Sequence, residues 1–171
     1  MSKGFTHESQ KSVSIEWYTP KEIFDALGIV FDLDPCSPGK EVVSWIPAKK
    51  HYTVEDNGLM AKWEGSVWLN PPYGRDTGKW LERLALHNNG IALVFCRPDT
   101  KWFHRNVKKA TCLCLLEGRV SFISEKHVQT YKSLGFNNSV GRPGAPSMLI
   151  AYGKDMAKAV CGSKLGLTLS I

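Results

Sequence analysis

The string Ser66-Val67-Trp68-Leu69-Asn70-Pro71-Pro72-Tyr73-Gly74 sets the tightest limit on what this chain can fold into. Val67–Leu69 is a short apolar run of strand-forming residues. The two prolines behind it lack the N–H groups that a neighbouring strand would need, so the strand stops at Asn70. Lys79–His87 then has helical spacing, with Trp80 and Leu84 in the apolar positions, and Ile91–Cys96 is the strongest strand signal in the sequence. Strands alternating with helices argue for an α/β sheet with helices packed on it.

The flanking segments extend the pattern. Thr19-Pro20-Lys21-Glu22 opens a helix, with Thr19 as N-cap, Pro20 in the first helical position and Glu22 as capping-box partner. Ile23, Phe24 and Leu27 form its apolar stripe and Gly28 ends it. Ile29–Leu33 reads as a buried strand that leaves the sheet at Asp34-Pro35. Residues 35–62 show little periodicity and are expected to be irregular, with room for one short strand or helix. Asp99–Ala110 is helical. Cys112–Leu116 and Val120–Ile123 look like adjacent strands of a hairpin joined by Glu117-Gly118-Arg119. Residues 125–146 form a long polar loop, a class of segment that is usually functional or disordered. Ser147–Tyr152 is the last strand, ahead of a weakly helical tail. The domain expectation is a compact unit over 15–160, with tails at 1–14 and 161–171.

At 171 residues, 43% of them hydrophobic and 22% charged, the chain is of the soluble globular class. No apolar run reaches the ~18 residues of a membrane span. The opening MSKGFTHESQKSVS lacks a signal peptide's apolar stretch, which predicts a cytoplasmic protein. Five cysteines without a secretory signal argue for free thiols, with Cys112 and Cys114 on one strand face. His7, His51, His87, His104 and His127 never pair at metal-ligand spacing, so no metal is expected. Charge is unevenly placed. Residues 1–99 carry 11 basic and 13 acidic side chains, and residues 100–171 carry 11 basic and 3 acidic. A basic second half suits a polyanion, most simply nucleic acid, and equally suits a solvated lysine-rich surface.

The strand end at Asn70 carries the chemistry. Consecutive prolines stiffen the chain so that the adjacent carbonyls point outward at fixed angles. Asn70 adds a side-chain acceptor and Tyr73 a flat ring. Together they can accept hydrogen bonds from a planar amino group while stacking on its ring.

Asn70-Pro71-Pro72-Tyr73 after a strand resembles the catalytic motif of amino-group methyltransferases that use S-adenosylmethionine. The wider pattern is similar to the phage-type, Dam-like DNA N6-adenine methyltransferases. It comprises EWYTPKEIFDAL, FDLDPCSP, DNGLMAKWEGSVWLNPPYG, RPDTKWFH, EGRVSF and APSMLIAY, in order over roughly residues 15–152. The resemblance implies a Rossmann-like class I methyltransferase fold, with cofactor loops at the carboxyl ends of the strands. It implies S-adenosylmethionine as cofactor and double-stranded DNA as partner, with the adenine flipped out of the duplex. Asn70 and the Pro71 carbonyl would then accept the two amino hydrogens, Pro72 would fix the turn and Tyr73 would stack on the base.

For the cofactor, Thr19 and Pro20 match the family's TP element and Asp34 its acidic strand-end position, with Cys36 beside it. The stretch DPCSPGKE has no glycine-rich turn of the GxG kind, a departure from better-known methyltransferases. Asp56 has two readings, a cofactor contact or an Asx-turn before Asn57-Gly58. Trp17 and Tyr18 either wall the pocket or pack the core. Trp102, Phe103 and Val107 read as core, and His104 as a surface residue.

Arg97 follows a strand end, placed either for DNA or to neutralise a carboxylate. Arg119, Lys126, Lys132 and Arg142 are the candidates for phosphate contacts, with Asn137 and Asn138 for base edges. The competing readings are a methyltransferase acting on RNA or on a protein glutamine amide, and a catalytically silent DNA-binding protein. Protection of phage DNA from restriction is the expected role. If the basic half docks on DNA through about five phosphates, affinity should fall on the order of 10²–10³-fold between about 50 and 200 mM salt. A titration series over that range checks it, and a flat response would remove the basic docking face.

Overall fold

Val67, Trp68 and Leu69 are all completely buried, so the strand they form needs cover on both faces. The computed structural model, which describes residues 16–136 and 145–171, supplies that cover. A seven-stranded mixed sheet has the order β3-β2-β4-β5-β8-β6-β9. Its strands are β2 (Phe31–Asp34), β3 (Ala48–His51), β4 (Val67–Leu69), β5 (Gly90–Phe95), β6 (Cys112–Leu116), β8 (Ser147–Tyr152) and β9 (Gly166–Ser170). Strands β3, β2, β4 and β5 are mutually parallel, while β8 runs antiparallel between β5 and β6.

Two apolar clusters lie on opposite sides of this sheet. On the Trp68 side are α1 (Lys21–Leu27), α4 (Val128–Ser133) and α5 (Lys154–Gly162), with Phe24 edge-on to Trp68 at 4.6 Å between ring centroids. On the Val67 and Leu69 side are α2 (Thr77–His87) and α3 (Lys101–Asn106). The protein is thus an α/β fold with helices on both faces of the sheet.

Helix α1 ends where the sequence predicts, at Gly28, whose φ of 63° is left-handed. Its start differs from the expectation by one residue. Pro20 is the N-cap, with extended backbone, and no side chain caps the helix. The reason is that Thr19 is completely buried, turned into the protein instead of over the helix end.

Further corrections concern the second half. Strand β7 (Ile123–Ser124) forms no hairpin with β6. It pairs antiparallel with β1 (Trp17–Tyr18) in a separate two-stranded sheet, because both flanks of β6 are taken by β8 and β9. The segment expected to be one long loop contains a 3-10 turn at Glu125–His127 and helix α4, anchored by buried Val128 and Tyr131. The expected tail continues through α5 into β9, which completes the sheet edge. In the first half, residues 35–62 are mostly irregular as expected, with β3 and a 3-10 turn at Val54–Asp56.

Gly90 shows how closely α2 seats on the sheet. A Cβ there would lie 2.6 Å from the Val67 carbonyl oxygen and 2.7 Å from Leu84 Cδ1. Gly90→Ala should therefore cost about 2 kcal/mol or more in a denaturant melt. Gly162→Ala, with open space around it, should change stability by less than about 1 kcal/mol.

Candidate active site

Strands β2 and β4 are adjacent and parallel, with Leu33 opposite Val67. From β2 the chain crosses to β3 on one side, and from β4 to β5 on the other. The strand order therefore reverses between β2 and β4, and ligands of open α/β sheets bind outside the carboxyl ends at such a point. Asp34 ends β2 and Asn70 follows the end of β4.

At the end of β4 the backbone turns over a small hydrogen-bond frame. Thr77, buried at the start of α2, donates through Oγ1 to the Pro72 carbonyl at 3.0 Å and accepts from Gly74 N at 3.0 Å. The Pro71 carbonyl accepts no hydrogen bond from the described residues. Asn70 donates from Nδ2 to the Trp17 carbonyl at 3.1 Å, and its Oδ1 accepts from the Tyr73 hydroxyl at 3.3 Å. That hydroxyl also lies 3.5 Å from the Leu93 carbonyl. The Tyr73 ring stacks on Phe95, with centroids 4.0 Å apart and planes at 15°, and burial raises the pKa of its hydroxyl. The side chain still keeps about a third of its surface open, at 36% exposure. An amide oxygen, a main-chain carbonyl and a partly open aromatic ring thus sit within four consecutive residues.

At the end of β2, Asp34 is buried, and among the described residues its carboxyl group accepts one hydrogen bond, from Cys36 N at 3.1 Å. Burial pushes its carboxyl up to about 7, and only the Cys36 amide works against that shift. Burial and the Asp34 charge likewise push the Cys36 thiol up. His51, at the end of β3, places Nδ1 3.9 Å from Asp34 Oδ2 and 2.8 Å from Ser37 Oγ. Its Nε2 lies 3.1 Å from the Ala48 carbonyl, which can only accept. The proton therefore sits on Nε2, and Nδ1 accepts from Ser37. Burial lowers the His51 pKa, so the free protein holds a neutral imidazole beside the acid rather than an ion pair.

Thr19 Oγ1 is buried with no hydrogen-bond partner among the described residues, although the Thr19 carbonyl accepts from Trp45 Nε1 at 2.8 Å. Pro20 beside it is buried. Ser147, paired with Phe95 at the carboxyl end of β5, has a second unpartnered buried hydroxyl. Asp56 is exposed. Its carboxylate reaches back to Thr53, accepting from the backbone N at 2.8 Å and from Oγ1 at 3.1 Å, a capping box on the 3-10 turn rather than an Asx-turn.

A family profile described as DNA N-6-adenine-methyltransferase (Dam) matches residues 6–141, about four-fifths of the sequence. The chain belongs to the Dam family. A DNA N-6-adenine-methyltransferase of Escherichia phage T1 is 30% identical over an alignment covering 71% of this chain and 58% of the relative. The chain thus spans little more than half the length of that relative. No solved structure matches it significantly.

The Dam-family match spans Thr19, Asp34, Asn70-Pro71-Pro72-Tyr73 and Arg97. Arg97 is exposed just beyond β5, its carbonyl accepting from Thr100 Oγ1 at 2.7 Å. Arg119 and Lys126 are exposed near β7. Lys132 on α4 donates to the Glu41 carbonyl at 2.7 Å, so its ammonium is already engaged. Asn137, Asn138 and Arg142 lie outside the described residues. Trp102 and Phe103 pack on the α2 side of the core, Val107 is buried there, and His104 is exposed.

Three neighbours of these residues escape the sequence reading: the Phe95 ring stacked on Tyr73, the His51 imidazole beside Asp34 and the Trp17 carbonyl on Asn70. Phe95 had a visible signal, since it closes a strong strand beside β4. His51 lies on β3, a strand without periodicity, and a carbonyl carries no sequence signal at all.

The Asp34 carboxyl supplies a test without ligand. Its folded pKa lies above the ordinary 3.8, so the folded chain holds a proton the unfolded chain has released between about pH 4 and 7. That stabilisation is complete below pH 4 and is lost as pH rises through 7. Relative to the parent, Asp34→Asn should thus gain about 4 kcal/mol between pH 4 and 8. Denaturant melts across that range, without cofactor, should show the gap opening; parallel curves would mean that Asp34 is ionised in the free protein.

Proposed function

We propose that this chain transfers a methyl group from S-adenosylmethionine to the exocyclic N6 amino group of adenine in double-stranded DNA. The observation that carries this reading is the pair of acceptors, Asn70 Oδ1 and the unengaged Pro71 carbonyl, next to the Tyr73 ring at a strand's carboxyl end. The sheet order and the antiparallel β8 between β5 and β6 support reading the fold as Rossmann-like class I.

Adenine's amino nitrogen is a poor nucleophile because its lone pair is delocalised into the ring. Asn70 Oδ1 and the Pro71 carbonyl accept its two hydrogens, which favours a more pyramidal nitrogen with its lone pair released. Tyr73 offers a ring face to the flipped base, the opposite face being occupied by Phe95. Pro72 and Thr77 hold the turn so that these groups keep their directions. When bound, S-adenosylmethionine supplies an activated methyl on a positive sulfonium, so alignment is most of what the protein must add.

For that cofactor the residues present fit. Among the described residues Asp34 is a buried carboxyl group with no cation beside it, suited to an ammonium, and Thr19 Oγ1 is a buried hydroxyl with no hydrogen-bond partner. Cys36 N already serves Asp34, and we assign Cys36 and Pro20 to the walls of this site. Asp56 is kept as a contact to the cofactor's adenosyl part, which would have to share its carboxylate with Thr53. Arg97, Arg119, Lys126 and Arg142 are assigned to DNA, as is Lys132 when it leaves Glu41. Asn137 is assigned to base edges. We place the protein in the cytoplasm of a phage-infected cell, where methylation protects DNA from restriction.

Mixing the protein with methyl-labelled cofactor and DNA, RNA and protein together should label DNA alone. Label on a protein amide or on RNA would overturn the substrate, and no label with DNA binding retained would favour a silent binder. Asn70→Ala should lower turnover on the order of 10²–10³-fold with cofactor affinity little changed.

A further inference from the structure

We propose that strand β1, through the main-chain carbonyl of Trp17, is the positioning element that makes Asn70 present its oxygen to the target amino group. The inference rests on the reading of Asn70 as an acceptor, and it adds what that reading leaves open.

An asparagine amide carries an acceptor and a donor in nearly the same volume. A half-turn of the side chain would bring Nδ2–H against the substrate's N–H, and the contact would become repulsive. Among the described residues, two groups hydrogen-bond to this amide. The Tyr73 hydroxyl can donate or accept, so by itself it would follow either orientation. The Trp17 carbonyl can only accept, and at 3.1 Å it fixes Nδ2 on its own side. Oδ1 is thereby the atom left for Tyr73 and for the substrate.

The pairing of β1 explains why that carbonyl is available. Trp17 lies opposite Ser124, and Glu125 N donates to the Glu16 carbonyl at 3.2 Å. Glu16 and Glu125 therefore form a hydrogen-bonded pair of the antiparallel ladder. The next pair, Trp17 and Ser124, is a non-hydrogen-bonded one, whose carbonyls point out of the ladder. Strand β1 is further held by Tyr18, whose ring is buried in the core cluster on the Trp68 side of the sheet. A strand of only two residues, outside the main sheet, thus presents one carbonyl to the amide next to Pro71.

If β1 demands a donor from residue 70, an aspartate there must fail as an anion and work as an acid. A carboxylate has no hydrogen for Trp17 and meets its carbonyl lone pairs, whereas a carboxylic acid reproduces the amide's donor and acceptor. At saturating cofactor, with turnover divided by that of the parent at each pH, Asn70→Asp should be down on the order of 10²-fold at pH 8. It should recover at least several-fold as pH falls toward the carboxyl range, while Asn70→Ala stays low throughout. A fully active Asn70→Asp at pH 8, or a deficit that does not shrink in acid, would overturn the positioning role. Near-normal Asn70→Ala would instead overturn the reading of Asn70 as acceptor. A second variant leaves residue 70 intact: Glu125→Pro removes the N–H bonded to Glu16 in the first position of a 3-10 turn, where proline is tolerated. It should lower kcat several-fold with KM for DNA unchanged; an unchanged kcat would contradict the proposal.

Discussion

Pro71 and Pro72 have no N–H to give, and the arrangement of the site follows from that. Strand β4 ends because its successor residues cannot extend a ladder, and the carbonyl of Pro71 is left without a hydrogen-bond partner among the described residues. The turn would be loose if nothing replaced the missing ladder. Thr77 replaces it from the start of α2, tying Pro72 and Gly74 together. The helix that covers one face of the sheet therefore also fixes the direction of the acceptors, and Gly90 lets that helix seat closely enough to do so.

The second organising feature is electrostatic. Asp34 is placed by a parallel strand whose carboxyl end is closed over by Pro35, the Ser37–His51 pair and the Cys36 amide. Burial, with no cation beside it among the described residues, raises its carboxyl to about 7, a shift that a bound ammonium would reverse. Local stability is thus given up at a site where binding of a positive ligand would restore it, which fits a pocket better than a packed core.

The sequence carried most of the sheet. β4 and β8 fall within the predicted residues, and β2, β5, α1 and α2 lie within two residues of expectation, because apolar runs and their Pro or Gly stops are local signals. What it did not carry depends on distant partners. β7 looked like the second half of a hairpin with β6, and nothing local shows that β8 and β9 occupy both flanks of β6. At the site, Asn70, Tyr73 and Asp34 were readable from their strand ends. The contact from Trp17 to Asn70 spans 53 positions and uses a backbone atom, so no side-chain pattern could announce it. Phe95 against Tyr73 depends on β5 lying beside β4, which only the assembled sheet reveals.

On the proposed function, the acceptors of Asn70 and Pro71 serve an amino group on adenine. The most direct measurement is mass spectrometry of nucleosides digested from DNA incubated with the protein and S-adenosylmethionine. The expected product is deoxyadenosine carrying the new methyl on its amino nitrogen. A methyl on a carbon of deoxycytidine, or no methylated nucleoside from DNA that the protein demonstrably binds, would contradict it.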